Sequence, residues 1–149
     1  MRLKEQMPEL DGATAWLNGR RTKYDLIGRN PTLIHFWSIS CHLCKEAMPV
    51  LNKFRDKYNN ELNMIAVHMP RSKYDTDLEQ IEDVAIEHNI LHPIFVDNDL
   101  ELTNVFDNQY VPAYYLFDKE GKLRHVQSGG SGMVMLEQRI IRLLNEPNR

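Results

Sequence analysis

The chain has 149 residues, with hydrophobic side chains at 42%, charged ones at 26% and a formal net charge of -3 at pH 7. That length suits one domain, residues 1–149, with a core large enough to need no disulfide scaffold, and the composition excludes a collagen-like, low-complexity or disordered chain. With 18 Lys and Arg against 21 Asp and Glu there is no broad cationic field for nucleic acid, and without a run of roughly 18 apolar residues no membrane-spanning helix is expected.

Residues 1–30 are mixed and polar. Turn signals at Asp11-Gly12 and Asn18-Gly19 suggest a hairpin-like lead-in, or cap, before a brief helix ending near Gly28. Leu33-Ile34-His35-Phe36-Trp37 is apolar apart from one histidine, and the lack of strict alternation suits a central strand covered on both faces. Ala47, Met48, Leu51, Phe54 and Tyr58 then recur at helical spacing, with Pro49 inside the helix. Residues 62–69 form the next strand, so strand, helix and strand succeed one another as in a right-handed parallel crossover.

Thr76-x-x-Glu79 has the form of a capping box ahead of a second crossover helix through Leu78, Ile81, Ala85 and His88. Ile94-Phe95-Val96 reads as a short buried strand, and Asp99 as the cap of a short helix carrying Leu102, Val105 and Phe106. Ala113 to Phe117 and Leu123 to Gln127, joined by Asp118-Lys119-Glu120-Gly121, read as an antiparallel hairpin. Met133, Leu136, Ile140, Leu143 and Leu144 give a closing amphipathic helix. The expected class is α/β, a mixed central sheet flanked by helices with an antiparallel C-terminal hairpin.

The chemistry concentrates at Cys41-His42-Leu43-Cys44, the only cysteines in the chain. Two cysteines separated by two residues can close a small disulfide ring, and these stand where a central strand passes into a helix. Unpaired N–H groups and the positive end of the helix dipole favour thiolate over thiol there, which makes Cys41 the better nucleophile. Cys44, one turn further in, is placed to attack a mixed disulfide on Cys41 and release the substrate as a thiol. Lowering such a thiol from about 8.5 to about 7 raises its ionised fraction at pH 7 roughly 16-fold, for about 2 kcal/mol. Intrinsic nucleophilicity falls about fivefold in parallel, so the larger effect is on redox poise and leaving-group ability. A cationic His42 would push the same way.

The segment HFWSISCHLCKEAMP resembles the thioredoxin superfamily active site, and the pattern from Met7 to Leu144 resembles its TlpA/ResA-like branch. The resemblance implies a thioredoxin-like fold, with Cys41 attacking, Cys44 resolving and His42 and Leu43 tuning the pair between them. It implies that Val111-Pro112, in the stretch VPAYY, is the family's cis-proline, turning the Val111 backbone toward an extended substrate peptide. Trp37 is expected beside the site as a further substrate contact. Three positions depart from the pattern. The buried acid that thioredoxins carry six residues before the first cysteine is His35, a proton-relay candidate or a hydrogen-bonded core histidine. The ResA-like Glu three residues after the second cysteine is replaced by Ala47; Glu46, turned by about 100° on a helix, is expected to face solvent. Ser40 replaces the Trp that thioredoxins carry before the first cysteine.

Other chemistries fit the residues less well. His88 and His92 have the gap of the second half of a zinc site, but 43 residues separate Cys44 from His88, where such sites have about a dozen. A peroxidase of the same core fold would carry Pro and Thr ahead of its thiol, where Ser38, Ile39 and Ser40 stand. A non-catalytic redox sensor would use the same disulfide. The expected activity is disulfide exchange with protein substrates, with no metal or organic cofactor and an electron donor the sequence does not name. The chain is expected to act as a monomer without nucleic-acid or membrane partners. The opening MRLKEQMPELDG lacks the apolar run of a secretory signal, so a cytoplasmic location, and with it a reducing direction, is expected. The dispersed Lys and Arg residues are expected to solvate the surface.

Overall fold

A computed structural model describes residues 1–147; residues 148–149 of the range expected for the domain lie outside the described residues. The chain order is β1 (Ala15–Leu17), α1 (Lys23–Leu26), β2 (Thr32–Trp37), α2 (His42–Lys57), β3 (Asn63–His68), α3 (Leu78–Glu87), β4 (Ile94–Val96), α4 (Glu101–Phe106), β5 (Ala113–Phe117), β6 (Leu123–Ser128) and α5 (Met133–Leu144). One six-stranded sheet runs β1-β4-β3-β2-β5-β6. β2, β3 and β4 pair in parallel, and β1, β5 and β6 add antiparallel strands at the two sides. This is the mixed α/β arrangement with an antiparallel final hairpin that the pattern predicts.

All six residues of β2 are buried, because both faces of this central strand are covered. Side chains alternate across a strand, so Leu33 and Trp37 join Met48, Leu51 and Phe54 of α2, Ile81 of α3 and Leu136 and Ile140 of α5 on one face. Ile34 and Phe36 join Leu26 of α1, Leu102 and Phe106 of α4 and the lead-in residues Met7 and Leu10 on the other. Phe36, Phe106 and Tyr115 meet edge to face there, at centroid distances of 4.9 to 5.4 Å.

Three local expectations are corrected. The lead-in is not a hairpin: β1 crosses to the sheet edge and pairs with β4 in the register Trp16↔Phe95, because an isolated hairpin could not cover Trp16 even partly as Phe95 does, at a centroid distance of 5.2 Å. Helix α3 is capped by Asp77, whose carboxylate accepts the Glu79 and Gln80 N–H groups. Thr76 instead donates its hydroxyl to the Lys73 carbonyl and closes a short 3-10 turn. Helix α4 is held by Asp97 rather than Asp99, since the buried Asp97 carboxylate accepts the N–H groups of Leu102 and Thr103 and the Thr103 hydroxyl.

Candidate redox site

Four residues carry the chain from β2 into α2, and the β3 exit holds the first three of them. The Ser38 hydroxyl donates to the Met69 carbonyl. The Ile39 N–H donates to Nε2 of His68 at 3.1 Å. The Ser40 hydroxyl donates to Asp75 at 2.7 Å, while Arg71 donates to the Ser40 hydroxyl and carbonyl at 3.1 and 2.5 Å. In a parallel sheet the carboxyl ends of β2 and β3 open on the same side, which is why residues some 30 positions apart meet here.

Cys41 is the N-cap of α2, in extended backbone geometry, and its sulfur accepts the Cys44 N–H at 3.1 Å. The two cysteines form a disulfide with Cα atoms 5.2 Å apart. Cys41 is 3% exposed and Cys44 1%, so the first sulfur is nearly as covered as the second. The reason is the packing of the turn: both cysteines belong to the apolar cluster of Trp37, Ile39 and Met48. His42 and Leu43 project outward instead, His42 pairing with Glu46 one turn on at 2.8 Å and Leu43 half exposed. Glu46 faces solvent, and Ala47 packs inward.

The peptide bond between Val111 and Pro112 is cis. The register Phe36↔Ala113 sets Pro112 level with Trp37, at the end of β2 from which the CxxC turn departs. The Pro112 carbonyl accepts the Gly129 N–H at 2.9 Å, tying the turn after β6 to the same end of the sheet. A Cβ on Gly130 would stand 3.1 Å from the Leu43 side chain, so glycine permits the close approach. Trp37 is 1% exposed and packs edge-on against His68 at 4.9 Å. It therefore offers a substrate no surface; it supports the floor of the site.

His35 lies in the middle of β2, fully buried, with its Nε2 2.8 Å from Nε2 of His92. Arg55 NH1 stands 3.4 Å from the His92 Nδ1. Guanidinium only donates, so His92 accepts on Nδ1, carries its proton on Nε2 and donates it to His35, which is protonated on Nδ1. Burial holds His35 down at about 3, and burial, followed by the electrostatic effect of His35 and Arg55 close by, holds His92 well below the ordinary imidazole value. His92 is thus a buried hydrogen-bond partner and not half of a metal site; among the described residues no three His, Cys, Asp or Glu gather as a metal site would require. His88 is the C-cap of α3.

Reasoning from sequence misses His68, Arg71 and Asp75, which lie in or beyond β3. The available signal was positional: in an open parallel sheet, residues just past the strand next to the CxxC strand face the same crevice.

The family model described as thioredoxin-like matches residues 28–123. Thiol-disulfide oxidoreductase YkuV of Bacillus subtilis is 64% identical over 146 residues, covering 98% of this chain and 99% of that protein. Thiol-disulfide oxidoreductase ResA of Bacillus subtilis is 22% identical over 113 residues, covering 75% of this chain and 60% of that one. The solution structure of a thioredoxin-like protein in the oxidized form superposes with a TM-score of 0.92 at 63% identity, over 99% of this chain and 100% of that chain.

Proposed function

The chain belongs to the thioredoxin-like family and is a thiol-disulfide oxidoreductase, and from that premise we propose that Cys41 attacks protein disulfides and Cys44 resolves them. The observation that carries the assignment is the Cys41–Cys44 disulfide, seated with Cys41 as the cap of α2 and Cys44 inside its first turn. In the reduced protein the Cys41 thiolate attacks one sulfur of a substrate disulfide. A Cys41–substrate S–S bond forms, and the other substrate sulfur leaves as a thiolate and takes up a proton. Cys44 loses its proton and attacks the Cys41 sulfur, expelling the second substrate thiolate. The net change converts dithiol and substrate disulfide into Cys41–Cys44 disulfide and substrate dithiol, two electrons passing to the substrate. The N–H groups at the start of α2 stabilise Cys41 as a thiolate in both its attacking and its leaving role.

The Val111 backbone is proposed to pair with an extended substrate segment beside the disulfide, on the argument that Pro112 stands level with the end of β2. His42 and Leu43 are proposed to tune the pair as its two intervening residues. His35 is proposed as a hydrogen-bonded core histidine in place of a relay to Cys44, since its Nε2 is engaged by His92. We further propose that the protein works as a monomer in the cytoplasm, without metal or organic cofactor, in the reducing direction. A pool poised at about -280 to -320 mV keeps a pair near -270 mV substantially reduced. The electron donor is proposed to be a cellular dithiol.

Turnover of insulin disulfides with dithiothreitol as donor tests the reading. The protein is expected to accelerate reduction catalytically, and Cys41→Ser to abolish it. Stoichiometric oxidation and reduction without turnover would instead assign the disulfide to a sensor.

A further inference from the structure

Arg71 follows β3, and both of its side-chain hydrogen bonds go to Ser40, the residue immediately before Cys41. Its NH2 donates to the Ser40 carbonyl at 2.5 Å and its Nε to the Ser40 hydroxyl at 3.1 Å. The hydroxyl in turn donates to the carboxylate of Asp75 at 2.7 Å, and that same oxygen accepts the Arg71 main-chain N–H at 2.8 Å. The three residues close a ring in which Asp75 is buried and the guanidinium is exposed. Among the described residues Arg71 forms no ion pair with a carboxylate. Its guanidinium donors reach the peptide group that joins Ser40 to Cys41 and the Ser40 hydroxyl, and only its main-chain N–H reaches Asp75.

We propose that Arg71 is a positioning residue for the disulfide-exchange reaction, acting through Ser40 to hold the Cys41 turn and to place a cation beside the Cys41 thiolate. The proposal rests on Cys41 being the attacking thiol. Two physical consequences follow from the geometry. A guanidinium hydrogen-bonded to the carbonyl of the Ser40–Cys41 peptide is kept within roughly 8 Å of the Cys41 sulfur by covalent reach. It also offsets Asp75, a buried carboxylate that is held on the same serine and that would otherwise disfavour a second negative charge. The other ionisable groups around this turn are His68, whose Nε2 is occupied by the Ile39 N–H, and the His42–Glu46 pair, which is internally matched on α2. Lys45, next to Cys44 on α2, and Lys73 also make no ion pair with a carboxylate among the described residues, but Arg71 alone of the three donates to Ser40.

An exposed charge at this range shifts a neighbouring ionisation by a few tenths of a pH unit to about one unit, an effect that salt screens. Alkylation of the reduced protein by iodoacetamide across pH reads it, with the labelled residue mapped by mass spectrometry. R71Q is expected to raise the Cys41 titration midpoint, leaving about threefold to tenfold less thiolate at any pH below it. R71K keeps the charge without the two-pronged grip on Ser40, and is expected to recover part of the shift. Raising salt from 10 mM to 1 M is expected to bring wild type and R71Q closer together. S40A, which removes one of the two acceptors, shifts the midpoint in the same direction by less, and serves if R71Q folds poorly. Coincident midpoints for wild type and R71Q would overturn the proposal. So would a shift that neither R71K nor salt alters, which would reduce Arg71 to a purely structural tie. Labelling of Cys44 in place of Cys41 would instead overturn the assignment of the attacking thiol.

Discussion

His35 and His92, 57 positions apart, meet Nε2 to Nε2 at 2.8 Å inside the protein. In the neutral pair the His92 Nε2–H donates and the His35 Nε2 accepts. Proton uptake by His35 on Nε2 leaves two N–H groups facing each other, and uptake by His92 on Nδ1 sets an N–H against the Arg55 guanidinium.

That relationship fixes a pH dependence of stability. Burial brings His35 to about 3 and His68 to about 4, and lowers His92 as well, whereas all three titrate near about 6.5 in an unfolded chain. Folded values below unfolded ones mean that the unfolded chain binds more protons as pH falls through 6.5. Stability is therefore full above about pH 6.5 and declines toward about pH 4, at up to about 1.4 kcal/mol per pH unit for each histidine. Urea unfolding of the disulfide-bonded protein between pH 7.5 and 4.5 checks this. His35→Gln, which keeps a polar partner for His92 but cannot be protonated, is expected to flatten the decline. An unchanged slope would mean that His35 is not among the groups that take up protons.

The Asp97 carboxylate carries the start of α4. It accepts the Leu102 and Thr103 N–H groups at 3.1 and 2.8 Å and the Thr103 hydroxyl at 2.6 Å, in a fully buried position. Asp97→Ala strands these donors, and the expected loss is about 2 to 4 kcal/mol. Asp97→Asn keeps an acceptor oxygen and should cost less. Thermal melts of both variants read the difference, and equal melts would place the stability of α4 in its apolar contacts alone.

These two sites mark where the sequence stops being legible. The β2 run from Leu33 to Trp37, the period of α2 and the turn between β5 and β6 are local signals, because strand and helix periodicities are written in neighbouring residues. The placement of Cys41 and Cys44 at the start of a helix followed from the same signals. What escaped depends on which distant residue arrives. Asp97 and Asp99 are equally good caps by composition, and only the left-handed turn at Leu100 brings the first one back over α4. His92, just ahead of β4, meets His35 of β2 across the intervening β3. Trp37 is expected to touch substrate because it lies near the cysteines, yet it is buried in the cluster with Met48 and packs against His68. Covering of Cys41 was equally invisible, since it results from the whole turn packing on the sheet. Arg71 was one dispersed cation among 18 basic residues until the crossover brought it to Ser40.

His42 and Glu46 form an exposed i, i+4 pair at 2.8 Å beside the disulfide. Exposed pairs contribute little to stability, so the consequence to measure is redox poise. His42→Ala removes an imidazole that can carry positive charge next to Cys41, and is expected to make the disulfide less oxidising. A drop of about 10 to 30 mV corresponds to roughly half to one and a half kcal/mol. Equilibration against glutathione or dithiothreitol at pH 7 reads the value directly. A potential indistinguishable from wild type would remove His42 from the tuning of the pair.

Covering of Cys41 to 3% exposure bears on how a substrate is captured. In the oxidised form the sulfur points back to the Cys44 N–H and is bonded to Cys44, so attack by an outside thiol must be directed at a nearly closed site. Once the disulfide is reduced, the Cys41 sulfur is no longer tethered to its partner. Cys44→Ser holds the protein in that untethered condition and removes the resolving sulfur. This variant is expected to accumulate mixed disulfides with reducible protein substrates through Cys41, visible as adducts on non-reducing gels and released by dithiothreitol. Cys41→Ser, which leaves only the more deeply placed Cys44 at 1% exposure, is expected to form few or none. Comparable adduct yields from the two variants would reverse the order of attack, and adducts from neither would exclude exchange through a mixed disulfide.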